Sequence, residues 1–233
     1  MILRTSACER SGYLPTLARV MPFGVFIALM AIEPWMAGNL ANQIDARWFY
    51  GLRSAVTASL ILYFWRQYEE LNQAAWPRPS DVALAVFVGI GVLVLWLLLD
   101  DGIFLLGEQT PGFDPRNGDG QIDWGLALTR LAGAALVVPV MEELFWRAWL
   151  MRYLQDRFWE TVTPSQVTRG AILMSSVVFG LEHQQWAAGI LAGLAYAWLY
   201  WRSNNLWLAV ISHAVTNFLL GCFVLARGAW YFW

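Results

Sequence analysis

Seven predominantly apolar runs constrain this chain more than any other feature. They are centred at residues 20–38, 48–66, 82–106, 124–155, 169–183, 186–201 and 206–226. A hydrocarbon layer about 30 Å thick is crossed by roughly 20 helical residues, and most of these runs are close to that length. Charged residues make up 14% of the chain, well below the roughly 25% of a soluble domain. The expected fold is an all-α polytopic membrane helix bundle with seven transmembrane helices, or eight if the stretch 124–155 breaks at Pro139. The fifteen tryptophans, among them Trp35, Trp48, Trp76, Trp124, Trp201, Trp230 and Trp233 at run ends, fit aromatic belts at the two interfaces.

Every basic residue is an arginine, and their placement predicts an orientation. With seven spans, Arg4, Arg10, Arg19, Arg66, Arg78, Arg152, Arg157, Arg169 and Arg202 fall on one side, and Arg47, Arg116 and Arg227 on the other. The positive-inside rule then puts the N-terminus in the cytoplasm and the C-terminus outside. An eighth span would reverse the second half and spoil that agreement. The first run is long and lacks a small-residue cleavage site, so it reads as a retained span. Cys8 and Cys222 are too few for a disulfide framework. A formal net charge of −2 with no basic stripe gives no reason to expect nucleic acid as a partner.

Gly, Pro and Asp concentrate between Asp100 and Asp123. This stretch reads as a long external loop separating an N-terminal part, 1–123, from a helical core, 124–233, within one integrated membrane domain. Inside it, Asn117 to Asp123 has the look of the middle of an EF-hand loop. Pro115 and Leu126 would then occupy the first and twelfth ligand positions, where oxygen ligands belong. A polar, turn-rich loop is the simpler reading.

The remaining polar chemistry lies in the C-terminal runs. In "VPVMEELFWRAWLMRYL", Glu143 and Arg147 are four apart with the acid first, which suits an ion pair on one helix face. Glu142 is turned about 100° away and faces something else. In "SSVVFGLEHQQW", Phe179 and His183 share a face, and Glu182 reads as interfacial. In "AVISHAVTNFLLG", His213 and Asn217 share a face and place two hydrogen-bond donors toward one point, as an oxyanion requires. Each motif alone is equally a packing device between helices.

Together, "EExxxR", "FxxxH" and "HxxxN", in that order and on successive membrane helices, resemble the signature of the CPBP intramembrane proteases. That family includes the type II CAAX prenyl endopeptidases and bacteriocin-processing or self-immunity proteins. The resemblance covers roughly residues 124–226 and includes Glu142, Glu143, Arg147, Phe179, His183, His213 and Asn217. Its detail is similar to the branch associated with bacterial exosortase and PEP-CTERM sorting. It implies a protease in the bacterial inner membrane, a membrane-associated polypeptide substrate, and exosortase or PEP-CTERM components as partners.

Peptide hydrolysis needs an activated water, a stabilised oxyanion and a proton for the leaving amine. Glu142 is the expected base and His183 helps hold the water. His213 and Asn217 face the substrate carbonyl, while Glu143 and Arg147 keep the helix in place. Metal-independent activation is the expectation. Zinc or another divalent ion on Glu142, His183 and His213 is the alternative, because three protein ligands with an open position suit catalytic zinc. Two rival functions remain: a proton- or ion-coupled transporter, since intramembrane Glu, His and Arg also mark ion pathways, and a non-catalytic immunity or scaffold protein. Glu33, Arg53 and Arg130 either line the cavity or pair with one another.

Overall fold

The computed structural model describes residues 13–40, 44–109 and 111–233. Arg4, Cys8 and Arg10 lie outside these residues. Among the described residues there is no strand, and each apolar run becomes one helix. These are α1 (Tyr13–Leu40), α2 (Phe49–Tyr63), α3 (Pro79–Leu98), α4 (Trp124–Tyr153), α5 (Arg169–Leu181), α6 (Trp186–Ser203) and α7 (Leu206–Arg227). The molecule is an all-α membrane helix bundle, in which α1, α3, α4 and α7 are long and apolar enough to cross a bilayer.

The helix boundaries follow from local chemistry. Asp123 caps α4 through the Leu126 amide at 3.1 Å, and Pro79 opens α3, where a missing N–H costs nothing. Asn204 and Gly228 end α6 and α7 in the left-handed conformation. Helix α4 does not break at Pro139, so no eighth span forms. It instead carries two π-helical stretches, Gly133–Val137 and Leu144–Leu150, on either side of the regular segment Val138–Glu143. The wider turn absorbs the proline, whose missing N–H would otherwise leave a gap in the helical ladder.

Helix α5 has 13 residues, about 20 Å at 1.5 Å per residue, and stops short of a full crossing. It packs on α6 through small residues. A Cβ placed on Gly189 would lie 2.8 Å from Gly180 Cα, and one on Gly193 would lie 2.9 Å from Ser176 Cβ. Only glycine permits that approach. Helices α3 and α7 are similarly close, and Thr216 donates to the Gly89 carbonyl at 2.9 Å.

The two ends of the bundle differ in chemistry. At one end Glu70 bridges Arg19 (2.5 Å) and Arg152 (3.0 Å), tying α1 to the end of α4. At the other, Arg47 donates to the carbonyls of Asp114 (3.2 Å) and Arg116 (2.7 Å), and the Phe113 amide donates to Trp233 (3.0 Å). The stretch between Asp100 and Asp123 is thus folded down across this Trp233 end. Its Asn117–Asp123 part closes as a tight backbone turn, with the Asn117 amide donating to Gln121 at 2.8 Å. The core crosses the boundary at residue 123: Phe23 of α1 stacks on Phe145 of α4 at 4.1 Å, and buried residues of both parts pack as one cluster.

Candidate active site

The polar residues singled out in α4, α5 and α7 meet around one hollow of about 580 Å³, which Glu142, Phe179, His183, His213 and Asn217 all line. The regular turn between the two π-helical stretches presents two adjacent acids to different neighbours. Glu143 is completely buried. Its Oε2 meets Arg147 Nε at 3.1 Å, and its Oε1 accepts from His213 Nδ1 at 2.9 Å. Glu142 points into the hollow, and its Oε2 is buried without a hydrogen bond from the described protein. His213 Nε2 lies 3.9 Å from that oxygen, beyond direct hydrogen bonding.

Both imidazoles have their tautomer set by their neighbours. A carbonyl only accepts, so the 2.7 Å contact between His183 Nδ1 and the Phe179 carbonyl places the proton on Nδ1 and leaves the Nε2 lone pair free. His213 likewise gives its Nδ1 proton to Glu143. Aromatic rings hold both imidazoles. Tyr196 stacks on His213 at 4.8 Å and 16°, and Trp96 meets His183 edge-on at 5.4 Å. Phe179 lies 4.7 Å from His183 and 4.3 Å from the Arg147 guanidinium, so its ring touches both.

Asn217 is held by the proline. In the π-helical pattern the amide of residue 138 reaches the carbonyl of Gly133, so residue 139 would reach Ala134. Pro139 has no N–H, and Asn217 Nδ2 donates to the Ala134 carbonyl instead, at 2.9 Å. One Asn217 N–H is thereby engaged and the other stays available.

Sequence reasoning took Glu182 for an interfacial residue, yet the structure brings it to the site. Oxygens of Glu142 and Glu182 and a ring nitrogen of His183 lie within 4.8 Å of one another. This is the tight group among the described residues, in place of the expected Glu142, His183 and His213, although His213 stands next to it. Its adjacency to His183 was the available signal. Tyr196 left no signal, because its role comes from stacking across helices. The carboxylates and free imidazole nitrogen are chemically a donor set that suits zinc or a similar divalent ion.

Residues 124–219 match the family model described as "Type II CAAX prenyl endopeptidase Rce1-like". All seven motif residues, and Glu182 with them, lie inside the matched stretch. No curated protein matches the chain, and no solved structure does.

Proposed function

We propose, from the match of residues 124–219 to the Rce1-like model of type II CAAX prenyl endopeptidases, that this membrane protein is an intramembrane endopeptidase of the CPBP family with Glu142 as its base. One observation carries the reading: a buried Glu142 oxygen without a protein donor shares a hollow with two imidazoles of defined tautomer. Water fits the distances, because the 3.9 Å between Glu142 and His213 is too long for a direct bond and suits a bridged one.

In this mechanism a water hydrogen-bonded to Glu142 and His183 Nε2 attacks the substrate carbonyl. Glu142 takes its proton and passes it to the departing amine. The oxyanion lies against His213 and Asn217. Asn217 donates its remaining N–H, and His213, neutral with its proton on Nδ1 in the resting site, donates there only after its Nε2 takes up a second proton, forming an imidazolium ion-paired with Glu143. Donors fixed in advance are each worth about a hundred- to a thousandfold in rate. Glu143 and Arg147 act by position, holding His213 and the turn that carries Glu142. A divalent ion held by Glu142, Glu182 and His183 would supply Lewis-acid polarisation of the carbonyl and a more acidic water.

The substrate is a membrane-associated polypeptide, with exosortase or PEP-CTERM components as its setting in a bacterial inner membrane. Comparing envelope peptides from cells with the wild-type protein and with Glu142→Gln tests this. The variant is expected to lose cleavage by at least about a thousandfold and to keep its melting temperature. A biological effect that survives Glu142→Gln unchanged belongs to a scaffold and ends the protease reading. With purified protein, activity lost to a chelator and restored by zinc assigns the water to the metal; activity indifferent to chelation assigns it to Glu142 alone.

A further inference from the structure

Arg53 and Arg130 line both the hollow that contains Glu142 and an adjoining one of about 660 Å³ toward the Trp233 end. Arg53 is 7% exposed and pairs with Glu33 at 2.8 Å. Arg130 makes no ion pair of its own among the described residues, and the Nε atoms of both arginines are buried without a hydrogen-bond acceptor. The Tyr50 ring meets both guanidiniums, 3.9 Å from Arg130 and 5.0 Å from Arg53. Of the other ionic groups lining the two hollows, Glu33 pairs with Arg53, Arg47 with Asp45 and Asp114 with Arg116, while Glu142 and Glu182 lie at the His183 end, so Arg130 is the arginine there without an ion-paired acid among the described residues. A guanidinium with free donors in such a place is suited to a carboxylate.

We propose that Arg130, with Arg53 and Tyr50, forms a carboxylate-binding subsite for the polypeptide substrate. Arg130 and Glu142 are twelve positions apart on α4, about 18 Å of helical rise. An extended peptide covers that distance in about five residues, and the reach of the arginine shortens it. The subsite therefore takes a C-terminal carboxylate, or an acidic side chain, within about five residues of the cleaved bond. The placement relative to that bond rests on the protease reading; the binding of a carboxylate does not.

The test uses the full chain in neutral phosphatidylcholine nanodiscs, with Glu142→Gln as background so that peptides stay intact. The probe is a fluorescent Leu/Ala-rich decapeptide in three forms: the C-terminal acid, the C-terminal amide, and amides with one Glu moved along the chain. The acid, or one Glu position, is expected to bind on the order of ten- to a hundredfold tighter than the plain amide. Whichever form is preferred identifies the source of the carboxylate. That ratio falls toward one in Arg130→Gln and is partly retained in Arg130→Lys. Equal binding of all forms overturns the proposal without any arginine variant, and so does a preference that Arg130→Gln leaves unchanged. Cleavage is read separately on the chain with Glu142 intact. A carboxylate preference without cleavage keeps the subsite and removes the protease, whereas cleavage without a preference does the opposite.

Discussion

Glu143 shows how a charge is tolerated where none is expected. It is fully buried, but both of its oxygens face a partner: Arg147 on its own helix and His213 across the bundle. Removing one member of a buried ionic group leaves the others uncompensated, at about 3–5 kcal/mol. Glu143→Leu is therefore expected to lower the unfolding free energy by about that much. Glu143→Leu combined with Arg147→Met removes the stranded cation, and a good part of the loss should return. Thermal unfolding of the single and double variants checks this. Equal destabilisation by both would show that the arginine was never compensated by this acid. Neither variant is expected to cleave substrate, because His213 loses the carboxylate that fixes its tautomer.

At the scale of the element, α4 is the unusual helix. Its two π-helical stretches and Pro139 set the turn that presents Glu142 to the hollow and Glu143 to the interior. Pro139→Ala supplies an N–H that competes with Asn217 for the Ala134 carbonyl and favours a regular helix. Stability is expected to hold or rise while turnover falls by roughly ten- to a hundredfold, the cost of a small displacement of a catalytic group. Unchanged turnover would mean that the proline does not set the geometry of the site. The α5–α6 hairpin makes a second contribution. Because α5 is short, the residues after it, including Glu182 and His183, end inside the bundle next to α4 and α7.

The bundle has chemically distinct ends, and its described helices run alternately from one toward the other, α5 stopping short of a full crossing. Arg19, Arg66, Arg78, Arg152, Arg157, Arg169 and Arg202 gather toward the Glu70 end, and Arg47, Arg116 and Arg227 toward the Trp233 end. From that asymmetry the Glu70 end is expected in the cytoplasm. Single cysteines at Ser165 and at Gly118, introduced after replacing Cys8 and Cys222, test it with a membrane-impermeant thiol reagent. Intact cells should label position 118 and protect position 165, and inverted vesicles should do the reverse. Labelling of both from one side would refute the alternation. The N-terminal helices belong to the same unit as the rest, since Phe23 and Phe26 of α1 line the hollow that holds Glu142.

The class of fold was legible from the chain, because crossing a bilayer is a requirement that α1, α3, α4 and α7 each meet through their own length and apolarity. The Glu143–Arg147 pair was legible for the same reason: both residues lie on one helix, and helical periodicity brings them together. The contact between Glu143 and His213, the arrival of Glu182, the stacking of Tyr196 and the use of Asn217 by the Ala134 carbonyl were not. Each depends on how far one helix approaches another and on the rotation that the π-helical stretches impart to α4. Such approaches are set by small residues packing across helices. Spacing along a single helix carries no record of them.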